Sequence, residues 1–269
     1  MGRRINKVKL FVNDNEQSQI VSKDLELELV KYGFKIVNRG FDLAISVGGD
    51  GSFLRMVKET GFDDKVYYIG VNSGTLGFLQ EIDIKDTVDF VKRLNSDNYK
   101  VEEISIQESK VITEDKVYTF NSLNELVVRK SDFTTLKLPV YVDDEFLERF
   151  AGDGILVSTS TGSTAYNMCL NGSIIYNTLN ALSITPIAPV NNKVYKVLNC
   201  SVIVPNDKVI TLVPEKGYND MFIQLDGVNT MINNVVKIET KIGKKSLKCL
   251  RMNDFHFIKV INSKVLERN

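Results

Sequence analysis

Three aspartates stand beside glycines at the edges of apolar runs: Asp50 in "GGDGS" (48–52) and Asp226 in "LDGV" (225–228) where such runs end, and Asp153 in "GDG" (152–154) where one begins. The first lies within "LAISVGGDGSFLRM" (43–56), a buried strand running into a helix. Such a junction leaves backbone N–H groups unpaired at the positive end of the helix dipole. Gly48, Gly49 and Gly51 would let a phosphate approach that backbone closely. Asp50 repels a phosphate unless a cation intervenes, so its chemistry there would be to orient or deprotonate a hydroxyl, or to hold Mg²⁺. Ser52 is placed to cap the helix. A tight turn with Asp50 as a second cap accounts for the same residues.

Other stretches could add to such a site. "YIGVNSGTLGFLQEID" (68–83) is a second glycine-rich strand exit. Its Gly70, Gly74 and Gly77 have the wrong spacing for a dinucleotide fingerprint, and no GxxxxGK[ST] phosphate loop occurs anywhere. It reads as a turn as readily as a site. Asn124-Glu125 in "NSLNELVV" (121–128) sit in a strand-like run, where adjacent residues face opposite ways and one of the pair would point inward. A turn or exposed edge is the plainer reading. "AGDGILVSTSTGSTAYNMCLNG" (151–172) is the richest segment, with Asp153, a series of hydroxyls and Tyr166 ahead of an expected helix start near Ser163. Asp226-Gly227, taken alone, reads as a turn.

The bulk composition narrows the options. The chain has 269 residues, enough for one large or two modest domains. Basic and acidic residues balance at 34 each, which argues against a whole-surface nucleic-acid or membrane binder. Cys169, Cys200 and Cys249 are far apart and form no CxxC, as expected of free thiols in a reducing compartment. No apolar run has the length of a membrane span, and the start "MGRRIN" fits neither a signal peptide nor myristoylation. These features predict a cytoplasmic protein. His256 is the sole histidine, which argues against a zinc centre of the common kinds and leaves acid–base work to carboxylates.

The elements that must carry these residues change character along the chain. Over the first hundred residues strands expected at 7–12, 34–38, 43–47 and 66–71 alternate with helices at 15–33, 52–60 and 84–97. That pattern predicts a parallel sheet covered on both faces. In the helix at 52–60, Phe53, Met56 and Val57 share one face. After residue 98, β-branched and aromatic runs alternate with short polar turns, including a hairpin turn at Asp143-Asp144. We expect a Rossmann-like, three-layer α/β domain over 1–98 and a mostly β-sandwich domain over 99–250. A closing segment, 251–269, is expected to pack back on the first domain, as helix or strand.

Taken together, "GGDGSFL" (48–54), "GVNSGTLGFL" (70–79), Asn124-Glu125, "GDGILVSTSTGSTAY" (152–166) and "ITPIAP" (184–189) resemble the NAD kinase family over nearly the whole chain. GGDG alone is shared with lipid and sugar kinases; the later segments, in this order, are more specific. The resemblance implies transfer of phosphate from ATP or polyphosphate to the adenosine 2′-hydroxyl of NAD, with Mg²⁺ or Mn²⁺. It also implies a homodimer or homotetramer. Asp50 corresponds to the catalytic carboxylate, and Gly48, Gly49, Gly51 and Ser52 to the loop for the donor phosphates. Gly51, Phe78, Leu79, Asn124, Glu125, Asp153, Thr161, Thr164, Ala165 and Tyr166 correspond to residues around NAD, with Asn124-Glu125 on the adenosine and Asp153 on the nicotinamide side. The resemblance assigns no metal ligand. Ala151, Asn171, Val190 and Val228 depart from the family pattern. Two alternatives stand beside this reading: a GGDG-type lipid kinase, for which the intact GSTAY segment has no use, and a non-catalytic NAD(P)-binding regulator, which would not need Asp50.

Overall fold

The computed structural model describes residues 4–73, 77–132, 134–215, 219–252 and 255–266. The elements run β1 (Lys7–Val12), α1 (Glu16–Lys31), β2 (Lys35–Ile36), β3 (Leu43–Gly48), α2 (Asp50–Glu59), β4 (Tyr67–Asn72), β5 (Ile82–Asp83) and α3 (Thr87–Asn95). Then follow β6 (Tyr99–Thr113), β7 (Val117–Ser122), β8 (Glu125–Lys130), β9 (Leu136–Val142), β10 (Glu145–Gly152) and β11 (Gly154–Thr159). A 3₁₀ turn (Thr161–Thr164) and the short α4 (Tyr166–Cys169) lead to β12 (Ala181–Ile187), β13 (Val202–Pro205), β14 (Ile210–Leu212), β15 (Met221–Leu225), β16 (Val228–Ile232), β17 (Val235–Met252) and α5 (Phe257–Ile261). The chain divides into two compact units, residues 1–104 with 246–269, and residues 105–245. No helix among the described residues is long and apolar enough to cross a membrane.

The first unit is α/β. β1 pairs in parallel with β2 and β3, β3 with β4, and β4 with β5 and the last part of β17. The chain leaves β1 for β2 on one side and returns to β3 on the other. The crevice at the carboxyl ends of β1 and β3 is therefore a topological switch point, where open α/β sheets place their ligands. The central strands are buried on both faces, as a sheet covered by helices requires. Leu25 and Leu29 of α1, Ile45 of β3, Ile69 of β4 and Phe90 of α3 lie in one core. α1 begins where Asn15 Oδ1 accepts the Ser18 N–H (2.8 Å). α2 buries Phe53, Met56 and Val57, as its spacing predicts.

Two local expectations for α2 need correction. The helix starts at Asp50 rather than at residue 52, and its N-cap is Gly49, with no side-chain cap bond. Ser52 is inside the first turn, buried, with its N–H on the Gly49 carbonyl (2.9 Å). An extended glycine supplies the capping carbonyl, so no cap side chain is needed.

The second unit is built on strands. One sheet has the order β13-β12-β11-β8-β15-β16, all neighbours antiparallel. Facing it are β6, β7, β9, β10, β14 and the first part of β17. Leu126, Val128, Ile155 and Val157 from one layer meet Leu138, Val140, Leu212 and Ile238 from the other in a single apolar core. Asp143 and Asp144 both take positive φ (48° and 66°) in the two-residue turn between β9 and β10. The closing segment, open between helix and strand in sequence, contains α5.

Within the first unit Arg251 is buried between two carboxylates, Glu81 (3.0 Å) and Glu102 (2.5 Å), and lies over the Phe255 ring. Burial pushes the Glu81 carboxyl up, against the pull of Arg251. Arg251→Ala takes the cation away from both carboxylates, so urea denaturation is expected to show a loss of about 3–5 kcal/mol. A loss under about 1 kcal/mol contradicts the burial argument.

Candidate active site

In the first unit the site is a junction of two strand exits. Register pairs Gly48 with Asn72, so the loops after β3 and β4 leave the sheet side by side. The Asp50 carboxylate ties them together. Its Oδ2 accepts the Phe78 N–H (2.7 Å) and its Oδ1 the Leu79 N–H (2.9 Å). Gln80 returns the tie, Nε2 donating to the Gly49 carbonyl (2.6 Å), while Ser46 donates to its Oε1 (3.3 Å). Gly77 must lack a side chain, because a Cβ there would stand 2.7 Å from Asp50 Oδ1. Around Gly49 and Gly51 the situation is reversed. A Cβ at either would meet no atom within 4 Å, so packing does not require these two glycines. Phe78 is half-buried and Leu79 buried beside Asp50. Gly74 lies outside the described residues.

In the second unit a sheet face and the segment covering it form another cluster. Glu125 lies opposite Ser158, and Val127 opposite Leu156. Alternation places Glu125, Val127 and Arg129 on the face away from the sandwich core. Tyr166 and Leu170 pack on Val127, Leu156 and Ile187, and Arg129 donates to the Tyr166 hydroxyl (2.6 Å). The turn before Tyr166 is fastened to the bend before β8: Thr159 Oγ1 donates to the Leu123 carbonyl (2.6 Å) and accepts the Gly162 N–H (3.1 Å). Gly162 touches the Asn124 main chain so closely that any Cβ would overlap its carbonyl. Thr164 is buried, and Thr161, Ala165 and Tyr166 are half-buried along this segment. Asn124 and Glu125 are both buried, at 6% and 5% exposure, instead of one in and one out. Asn124 belongs to the bend before the strand, where alternation does not yet hold.

Three buried polar atoms here have no hydrogen-bond partner: Asn124 Oδ1, Glu125 Oε2 and Ser158 Oγ. Such an atom costs about 1–3 kcal/mol in a folded protein. Burial, helped by the charge on Asp226, pushes the Glu125 carboxyl up to about 8. At neutral pH it is thus largely protonated and can both donate and accept. Asp153 is apart from this cluster: it is exposed just ahead of β11, five residues from Ser158, or roughly 17 Å along the strand. Sequence reasoning quoted the stretches that hold Gln80, Ser158 and Thr159 without singling these residues out, and it passed over Arg129, which sits in no telling local pattern. Asp226 did carry a signal, the same Asp-Gly at a strand end as Asp50.

The arrangement offers a glycine-lined helix start next to an anchored carboxylate, and a polar cluster awaiting partners. Comparison with known proteins places it. Residues 5–99 match the family described as ATP-NAD kinase N-terminal domain, and residues 123–251 match the ATP-NAD kinase C-terminal domain. The NAD kinase of Finegoldia magna is 40% identical over 85% of this chain and 86% of its own length. That of Streptococcus agalactiae is 35% identical over 91% and 88%. Among solved structures, yeast NADH kinase complexed with NADH superposes with a TM-score of 0.81 at 19% identity, covering 97% of this chain and 87% of its own. An NAD kinase from Archaeoglobus fulgidus in complex with ATP gives 0.72 at 20%, covering 96% and 98%. The fold and both family matches are thus those of a phosphotransferase. The chain belongs to the NAD kinase family.

A carboxyl held neutral by burial makes stability fall as pH rises. The unfolded Glu125 ionises near its ordinary value while the folded one stays protonated until about 8. Glu125→Gln removes that difference. Its stability relative to wild type is expected to grow by a few kcal/mol between pH 5 and pH 8 and to level off above, read by urea denaturation across that range. A pH-independent difference would mean that Glu125 ionises normally.

Proposed function

We propose that this protein phosphorylates the adenosine 2′-hydroxyl of NAD to give NADP, with ATP or polyphosphate as donor. The observation that carries the reading is the trio of orphaned polar atoms on Asn124, Glu125 and Ser158. An adenosine brings the amino donor, ring-nitrogen acceptors and hydroxyls that such atoms lack. The relatives' common name, and solved relatives described with NADH and with ATP, support the same pair of substrates.

Phosphoryl transfer asks a protein mainly for alignment and charge compensation. The 2′-oxygen attacks the terminal phosphorus, the bond to the leaving ADP or shortened polyphosphate breaks, and the hydroxyl proton passes to the Asp50 carboxylate or to water. Asp50 is assigned to that hydroxyl. Each of its oxygens already accepts one N–H and keeps acceptor capacity for a second partner. Gly48, Gly49, Gly51 and Ser52 are assigned to the donor phosphates, and the open space at Gly49 and Gly51 suits them. Phe78, Leu79, Thr161, Thr164, Ala165 and Tyr166 are assigned to NAD, and Asp153 to its nicotinamide side. Among the described residues no group of three or more His, Cys, Asp or Glu could hold a metal ion. Mg²⁺ or Mn²⁺ bound to the donor phosphates would neutralise their charge. We extend to this chain the homodimer or homotetramer that the resemblance implies. The exposed Val228 and Met231 on edge strand β16 suit such self-association.

Incubation with NAD, Mg²⁺ and either ATP or polyphosphate, with NADP read by an NADP-specific dehydrogenase, tests the reading and decides the donor. NADP from neither, with NAD still bound, would leave a binding protein. Asp50→Asn is expected to lower the rate about 10²–10⁴-fold while NAD binding persists. Gly51→Ala separates packing from ligand space. It should raise stability by about 0.5–1 kcal/mol, since Ala is the better helix former, yet raise KM for the donor about tenfold through loss of close phosphate approach. An unchanged KM would remove Gly51 from the donor loop.

A further inference from the structure

We propose that Asp226 is a positioning residue for the adenosine-binding cluster, its carboxylate fixing the main chain of Leu123, Asn124 and Glu125 and thereby the direction of the Asn124 and Glu125 side chains. The proposal rests on the assignment of those two residues to adenosine. Asp226 Oδ2 accepts the Leu123 N–H (2.7 Å), and Oδ1 accepts the N–H groups of Asn124 (2.7 Å) and Glu125 (3.2 Å). The Asp226 N–H donates back to the Glu125 carbonyl (3.2 Å). About a hundred residues of chain separate the partners, so local folding does not impose the contact.

The turn itself does not explain the carboxylate. Asp226 and Gly227, with φ of 48° and 82°, form the two-residue tip of the β15–β16 hairpin. Asn serves at least as well as Asp at the first position of such a turn. What Asn cannot do is accept on both side-chain branches, because its amide offers one oxygen and two N–H donors. Three inward N–H groups shared over two oxygens require the acid. Burial pushes the Glu125 carboxyl toward the neutral form, and the negative charge of Asp226 beside it adds to that push. Among the described residues Asp226 is the titratable group that acts on Glu125. Ser158 opposite does not titrate, and Arg129 further along the face is engaged with Tyr166.

Charge and geometry can be tested separately by steady-state kinetics across pH. Asp226→Asn keeps the turn but removes the charge and one acceptor. KM for NAD is expected to rise about 10- to 100-fold, with KM for the donor within about twofold. In wild type, kcat/KM for NAD should fall above about pH 8 as Glu125 ionises. That fall should move to lower pH in Asp226→Asn and disappear in Glu125→Gln. Asp226→Glu retains the charge on a longer arm. It should raise KM for NAD and leave the fall where it was, and it decides the matter if the Asn variant does not fold. An unchanged KM for NAD, or only a lower melting temperature with the pH profile in place, overturns the proposal. Asn124→Ala separates the two levels. A raised KM for NAD there, with none in Asp226→Asn, defeats the positioning role alone. No effect of Asn124→Ala defeats the adenosine assignment beneath it.

Discussion

The capture of loop N–H groups by a single short carboxylate is the constraint on which the loop after β4 in the first unit and the bend before β8 in the second each depend. A loop at the end of a strand has main-chain donors that no ladder satisfies. Each donor left buried and unpaired is costly, and a charged acceptor is the strongest partner it can find. Asp50 does this for the loop after β4, and Asp226 for the bend before β8. The same device recurs away from the site, where Asp42 Oδ2 accepts the N–H groups of Asn6 (3.1 Å) and Lys7 (3.0 Å) ahead of β1. Asp50 differs in that it stands at a place where a substrate is expected, so one side chain both builds the loop and is available to chemistry.

The frame beneath these contacts is apolar and rigid. β3 and β4 are buried from end to end, so their register cannot slip without exposing a core face, and the two loop exits stay adjacent. On the second unit, β8 and β11 are held by the sandwich core on one face and covered by Tyr166 and Leu170 on the other. In β8 and β11 polar residues are admitted only at the strand ends. Glu125 opens β8 and Ser158 comes one residue before the end of β11, where the ladder gives way to turns.

Much of this was legible in the sequence, for reasons that differ by element. The alternation of strands and helices, the buried face of α2 and the Asp143-Asp144 turn follow from periodicity and turn chemistry, both local properties. The family resemblance rested on glycines, carboxylates and hydroxyls whose types the chemistry restricts. The start of α2 was displaced because a glycine cap leaves no side-chain signature. The segment around Ser163 is 3₁₀ before it is helical, since Gly162 is pressed against Asn124 and the chain tightens there. Asn124 and Glu125 broke the alternation rule because the strand begins between them. Asp226 looked like an ordinary hairpin tip, for its partners are a hundred residues away and nothing local names them.

The unpartnered atoms on Asn124, Glu125 and Ser158 have a consequence beyond recognition. Folding without ligand means enclosing three polar atoms that the unfolded chain would leave to water. A ligand that reaches them relieves a cost already present in the empty protein, and it does so only for the folded form. The second unit is therefore most vulnerable when empty. In a cell, where chaperones and proteases sample the opened fraction, the longevity of such a protein is coupled to the concentration of what it binds. Under the adenosine assignment proposed above, scarcity of the dinucleotide would then thin the population of molecules that consume it.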